Sequence, residues 1–179
     1  MKLVDDTRKA RRLSVAPLRG RFLILEPVIT ELERVLPTYR GPDGHHEGIA
    51  FLCGFERSGE TIFTTAMFPD ADHRAGYVRC DEAQFAAASS AARSYGLGLL
   101  AQVHTHPKGR TGHSWGDDDM VRPAYEGMLS IVVPDYGLTG LRPLDSLGIH
   151  QLQNERWILA EQASIRENVL IVPAGRDLR

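Results

Sequence analysis

The sequence predicts an α/β fold, a mixed and mostly antiparallel sheet flanked by helices. Short apolar runs of strand length interleave with stretches of helical spacing, the pattern of sheet and helix packed in layers. Two β-rich runs, residues 48–54 and 61–68, are joined across a Ser58-Gly59 turn, which makes them antiparallel neighbours. The chain of 179 residues, 42% hydrophobic and 25% charged, has the composition of one globular domain.

Taken in order, residues 1–20 are polar and basic, with Arg8, Lys9, Arg11 and Arg12 close together, and read as a mobile or loosely docked arm before a single domain over 21–179. Phe22, Leu23, Ile24 and Leu25 form a short strand-like run. Val28, Ile29, Leu32, Val35 and Leu36 recur at helical spacing between Pro27 and Pro37, which predicts a first helix. The turn Gly41-Pro42-Asp43-Gly44 leads into the nearly continuous apolar run 48–54, a buried strand. Residues 61–68 supply its hairpin partner. Asp81 is placed to cap a helix over 82–95, with Phe85, Ala88, Ala92 and Tyr95 on one face and Gly96 as the stop. Strands follow over 97–103, 128–133 and 147–152, the first ending at His104. Residues 155–166 fit a strand, a helix or one followed by the other, and 169–172 form a last strand.

With 21 Lys plus Arg against 23 Asp plus Glu, the formal charge is −2, too balanced for an electrostatic footprint on nucleic acid or an acidic membrane. No apolar run is long enough to cross a bilayer, and the N-terminus lacks the apolar core of a signal peptide, so a cytoplasmic protein is expected. Cys53 and Cys80 are too few for a disulfide framework and lack C-x-x-C spacing; both read as core residues.

One segment departs from ordinary structural logic. His104-Thr105-His106-Pro107 is followed, six residues on, by Ser114-Trp115-Gly116-Asp117. Side chains alternate along an extended chain, so His104 and His106 point the same way from a strand end and can reach one cation. Pro107 restricts His106 to extended conformations. Asp117, brought back by the loop, would complete three ligands and leave a fourth position for water, the pattern of a catalytic site. Plainer readings exist for each part: two histidines can simply be polar residues at a strand end, and Ser114-x-x-Asp117 is a capping pattern for a helix beginning near Trp115. Capping and metal binding are compatible, since a helix start is a rigid place from which to aim both side chains. A further carboxylate, Glu47, stands directly before the buried strand.

With Glu47 included, the sequence resembles the JAMM metalloproteases, the MPN-domain family of zinc isopeptidases. Their signature is a Glu at the start of a strand followed later by H-x-H-P-x6-S-x-x-D, and His104, His106, Pro107, Ser114 and Asp117 match it without a gap. Residues 47–54 resemble the family's glutamate strand, with Ala50 where a glycine is common. The resemblance covers roughly residues 22 to 155. It implies an MPN/cytidine-deaminase-like sheet and one Zn2+ per chain, held by His104, His106 and Asp117. Zinc there would lower the pKa of its bound water; Glu47 would take that proton and deliver it to the leaving amine, and Ser114 would stabilise the oxyanion. No acyl-enzyme is implied, and the apolar neighbours of Cys53 make it a poor thiolate.

The family's substrates imply a partner: a ubiquitin-like modifier protein or its conjugate, cut after the C-terminal Gly-Gly, with the tail added as a strand beside the groove. The short chain resembles the compact prokaryotic branch, acting in deconjugation and precursor processing within a bacterial ubiquitin-like pathway. Alternatives are a metalloprotease acting on a sulfur-carrier protein in cofactor or cysteine biosynthesis, and a catalytically inactive MPN scaffold. The Gly- and Pro-rich stretch 134–148 reads as a partner-recognition surface or an ordinary connection.

Other residues compete for these roles. Asp118 and Asp119 could coordinate if the loop were out of register, but family spacing favours Asp117, and both suit the first turn of a helix. His113 reads as an exposed loop histidine, a place at the border of the pocket being the alternative. His45 and His46 read as loop residues, a third nitrogen ligand being the alternative. His73 and His150 receive no role, and Trp115 either walls the site or packs at a helix start.

Overall fold

The computed structural model describes residues 14–120 and 124–175. Its strands are β1 (Val15–Ala16), β2 (Arg21–Leu25), β3 (Arg40–Gly41), β4 (Gly44–His45), β5 (Ile49–Arg57), β6 (Glu60–Met67), β7 (Asp72–Arg74), β8 (Tyr77–Arg79), β9 (Gly98–Thr105), β10 (Leu129–Val133), β11 (Gly148–Gln153), β12 (Arg156–Ala160) and β13 (Val169–Val172). The helices are α1 (Glu26–Val35), α2 (Glu82–Ser94), α3 (Trp115–Met120) and α4 (Gln162–Asn168). Nine strands form one sheet in the order β1-β12-β11-β10-β9-β5-β6-β2-β13, and β3–β4 and β7–β8 are separate hairpins.

The longest ladders, β5 with β6 and β5 with β9, are antiparallel, as are β10 with β11 and β11 with β12. Parallel joints link β9 to β10, β6 to β2, β2 to β13 and β12 to β1. The expected mixed, mostly antiparallel sheet with flanking helices is therefore the architecture observed.

The central strand β5 shows why its sequence is a continuous apolar run. Ala50 and Leu52 pack into the main core with α1 and α4, whereas Ile49, Phe51 and Cys53 pack on the other face against Ala88 and Ala92 of α2. Both faces are covered, so alternation with polar residues disappears. Helix α1 starts with Pro in its first turn and buries Val28, Ile29 and Leu32. Helix α2 has a reciprocal capping box: the Gln84 N–H donates to Asp81 Oδ1 and the Asp81 N–H to Gln84 Oε1, each at 2.8 Å. Tyr95 is 76% exposed, contrary to the face assigned from spacing, because the helix ends at Ser94 and Gly96 turns the chain away at φ +72°. Residues 155–166 resolve into strand β12 followed by α4.

Residues 15–18, read from composition as part of the basic arm, are docked onto the fold. Val15 and Ala16 pair with β12, Leu18 is buried in the main core, and its N–H donates to Ser164 Oγ at 2.9 Å. Arg8, Lys9, Arg11 and Arg12 lie outside the described residues. No helix among the described residues is long and apolar enough to cross a membrane.

One glycine couples the sheet to the loop that follows His106. A Cβ on Gly148 would lie 1.8 Å from the Thr111 carbonyl oxygen, a backbone atom that no rotamer change can move. Gly148→Ala is therefore expected to displace residues 107–113 and lower stability by roughly 1–3 kcal/mol, the range of overpacked cores. A thermal melt checks this; an unchanged midpoint would show that the loop yields freely.

Candidate metal centre

The site begins with the alternation of β9. Ala101 and Val103 enter the main core, so Gln102 and His104 face the opposite side of the sheet. His104 and His106 are 0% and 3% exposed, and their Nε2 atoms stand 3.2 Å apart. Beyond His106 the backbone stays pinned: its N–H donates to the Val133 carbonyl, and its own carbonyl accepts from the Tyr136 N–H, both at 2.9 Å.

The loop then turns through Lys108 and Gly109, both at positive φ, and the Gly109 N–H donates to Asp135 Oδ1 at 2.8 Å. It delivers the chain to α3, whose start is the reciprocal cap read from the sequence. The Asp117 N–H donates to Ser114 Oγ at 3.3 Å, and the Ser114 N–H donates to Asp117 Oδ2. Capped in this way, Asp117 places Oδ1 3.5 Å from His104 Nε2 and Oδ2 3.2 Å from His106 Nε2.

Among the described residues these three side chains form one buried group of potential ligands. Four donors held tetrahedrally at about 2.0–2.1 Å from zinc stand about 3.3 Å from one another. The observed separations of 3.2 to 3.5 Å match that spacing, so the donor set fits a zinc ion. Burial alone would raise the Asp117 carboxyl, but the charges and hydrogen bonds of His104 and His106 outweigh it and hold the group below the ordinary carboxylate range. Burial pushes the His106 imidazole down, with the hydrogen bond and charge of Asp117 opposing.

Glu47 is placed by the register of two strands. Ile49 pairs with His104, the Thr105 N–H donates to the Gly48 carbonyl at 3.0 Å, and the Gly48 N–H donates to Thr105 Oγ1 at 2.8 Å. Glu47 stands two residues before Ile49, where that ladder ends, and the Asp117 charge acts on its carboxyl. Glu47 is 4% exposed, and burial, reinforced by the Asp117 charge, pushes its carboxyl up to about 8. Its backbone is held on both sides, with the Glu47 N–H donating to the Arg74 carbonyl at 2.8 Å and the Glu47 carbonyl 2.7 Å from His73 Nδ1. The His73 ring stacks on Tyr39 at 4.0 Å, and a Cβ on Gly48 would stand 2.5 Å from that tyrosine.

Several readings change. His113 is not an exposed loop residue: it is 4% exposed, 2.8 Å from Ser130 Oγ and 3.1 Å from Asp118 Oδ1. His150, given no role, is fully buried and stacks on His113 at 3.9 Å. His73, also given no role, meets the backbone carbonyl of Glu47. His46 is buried against Asp43 at 2.6 Å, and His45 stacks on Tyr136 at 5.7 Å; neither joins the three-residue group. Asp118 turns to His113, while the side chains of Trp115 and Asp119 lie outside the described residues. Cys53 is buried and its thiol is pushed up to about 11 by that burial, in keeping with an inert residue; Cys80 is only half-buried and shifts likewise.

Tyr136, missed by sequence reasoning, borders the site at φ 55° with its hydroxyl donating to the Ala75 carbonyl at 2.8 Å. The turn signal Pro134-Asp135 preceding it was the available clue. The stretch 134–148 is anchored rather than free: Leu141 is 1% exposed and its N–H donates to Glu33 Oε1 at 3.1 Å.

No protein-family model matches the chain. Its fold is similar to the solution structure of protein DSY2949 from Desulfitobacterium hafniense, with a TM-score of 0.61 and 12% identity over 85% of this chain and 93% of that one. A JAB1/MPN domain protein from Archaeoglobus fulgidus aligns with a TM-score of 0.43 and 16% identity, covering 77% of this chain and 94% of the other. A protein from Salinibacter ruber aligns with a TM-score of 0.49 and 17% identity over 82% and 86% of the two chains. At these identities the likeness to the Desulfitobacterium protein is one of fold, and the chemistry of the site stands on its own residues.

Proposed function

We propose that the protein is a zinc-dependent isopeptidase that cleaves after the C-terminal Gly-Gly of a ubiquitin-like protein, releasing it from conjugates and processing its precursor. The observation that carries this reading is the buried convergence of two imidazoles and a carboxylate, with donor atoms 3.2 to 3.5 Å apart. A zinc ion held there supplies Lewis acidity toward water and toward an amide carbonyl.

The chain's own groups supply the rest. Asp117 brings a negative charge to the cation and is aimed by its helix cap. Glu47 sits within reach of the Asp117 charge with its carboxyl raised by burial, a rise that a nearby cation opposes, so it gains and loses a proton close to neutral pH. It takes a proton from the attacking water and delivers it to the departing lysine amine. Ser114 Oγ accepts from the Asp117 N–H, which leaves its own proton to donate to the oxyanion. The substrate class rests on the motif's resemblance to the JAMM isopeptidases; a Gly-Gly tail has no side chains to exclude it from a narrow cleft.

Incubation with ubiquitin-like fusions, with and without a chelator, tests the reading. Cleavage after Gly-Gly, located by mass, is expected to stop with chelator and return with zinc. Cleavage that persists in chelator, or none by zinc-loaded protein across a panel of fusions, would overturn it.

A further inference from the structure

Behind His104 lies a second set of buried polar groups that the reaction does not use. Gln102, Ser130 and His150 are fully buried, at 0% exposure. The register sets Gln102 beside Ser130 and Ser130 beside His150, so all three share the face of the sheet that carries His104. Gln102 Nε2 lies 3.4 Å from His104 Nδ1 and 3.4 Å from Ser130 Oγ. Ser130 Oγ is 2.8 Å from His113 Nε2, and His113 Nδ1 is 3.1 Å from Asp118 Oδ1, next to Asp117 in α3. The contacts thus run from one candidate ligand to the helix that carries another. His113 is clamped between the His150 ring at 3.9 Å and the edge of Trp157 at 5.3 Å.

A buried polar chain of this kind costs stability relative to apolar packing unless its groups are satisfied. Metal held on His104 Nε2 leaves the ring's proton on Nδ1, and that proton needs an acceptor. Gln102 Oε1 is buried without a hydrogen-bond partner. A half-turn of the amide exchanges it with Nε2 and sets the oxygen against His104 Nδ1. With the amide so turned, the Ser130 hydroxyl donates to Gln102 Oε1 and its oxygen accepts from the His113 Nε2–H. The geometry points to Gln102, Ser130 and His113 as positioning residues: they fix the ring and tautomer of His104, tie it to α3, and set metal affinity without touching the ion. This inference rests on the zinc reading above.

Zinc affinity of the full chain, measured by competition with a chromophoric chelator, reads the effect. The absorption spectrum of the cobalt-substituted protein reads the coordination geometry. Gln102→Leu and Ser130→Ala are each expected to weaken zinc binding about 10- to 100-fold and to alter the cobalt spectrum. Gln102→Glu keeps the shape and offers only acceptor oxygens, so it is expected to bind zinc at least as tightly as the parent. A packing role for Gln102 expects the opposite, since the substitution buries a charge. Ser130→Ala is the smallest change and keeps the test open if a Gln102 variant fails to fold. Unchanged affinity and spectra in Gln102→Leu and Ser130→Ala would overturn the relay, as would equal losses in Gln102→Glu and Gln102→Leu, while leaving the parent's zinc binding intact. A parent that takes up no zinc would overturn both the relay and the reading on which it rests.

Discussion

Replacing Glu47 with glutamine is expected to raise the melting temperature of the metal-free protein and to remove the turnover of the zinc-loaded one. The stability half comes from proton linkage. The carboxyl titrates at about 8 in the fold against a model value of 4.5, so the folded state keeps a proton that the unfolded chain releases. Below pH 4.5 both states are protonated and Glu47 costs nothing. Between 4.5 and 8 the cost grows with pH, and above 8 it is constant, on the order of a few kcal/mol. Glutamine has the same shape and never ionises, so the difference in melting temperature between variant and parent should be near zero at pH 4 and widen to roughly 5–10 °C by pH 8. Chelated samples melted across that range check it; a constant difference would mean that burial does not hold the proton on Glu47. The functional half follows from the same group. A neutral amide cannot carry a proton from water to amine, so turnover of a modifier fusion should fall by about 10²- to 10⁴-fold. A substitution that stabilises a protein while silencing it marks a residue kept at a cost to the fold.

What the sequence made legible is what local chemistry dictates. Alternation in β9 aimed His104 and His106 together, Ser114-x-x-Asp117 closed the cap that aims the carboxylate, and the apolar run after Glu47 became the central strand. The rest depends on contacts between segments far apart in the chain. His113 looks like a loop residue because its partner Ser130 and its stacking neighbour His150 come from β10 and β11, whose register with β9 exists only once the sheet is assembled. His73 belongs to a short hairpin with no strong pattern, and its value lies in the Glu47 carbonyl it meets. Strand β1 is two residues long, too short for any periodicity to register. Tyr95 failed for a different reason: helical spacing continued one residue past the point where Gly96 ends the helix.

Asp117 does two things that one substitution can separate. Its Oδ2 accepts from the Ser114 N–H and so closes the helix cap, and both its oxygens face the imidazoles as the third donor. An asparagine carbonyl caps a helix as well as a carboxylate does, but it is a neutral and weaker ligand. Asp117→Asn is therefore expected to keep the native circular dichroism while zinc occupancy and turnover fall, turnover by at least about a thousandfold on the several-kcal/mol scale of Lewis-acid stabilisation. Asp117→Ala should lose up to about 1 kcal/mol more, through the missing bond to the Ser114 N–H, while the Ser114 hydroxyl still caps the helix. The same change reaches Glu47. The Asp117 charge is one of the causes that raise the Glu47 carboxyl, so its removal lowers that pKa and narrows the window in which Glu47→Gln stabilises the metal-free fold. Measured on the Asp117→Asn background, the melting difference at pH 8 should shrink. Zinc held stoichiometrically by Asp117→Asn, with full turnover, would take the aspartate out of the ligand set and leave the two histidines to be explained some other way.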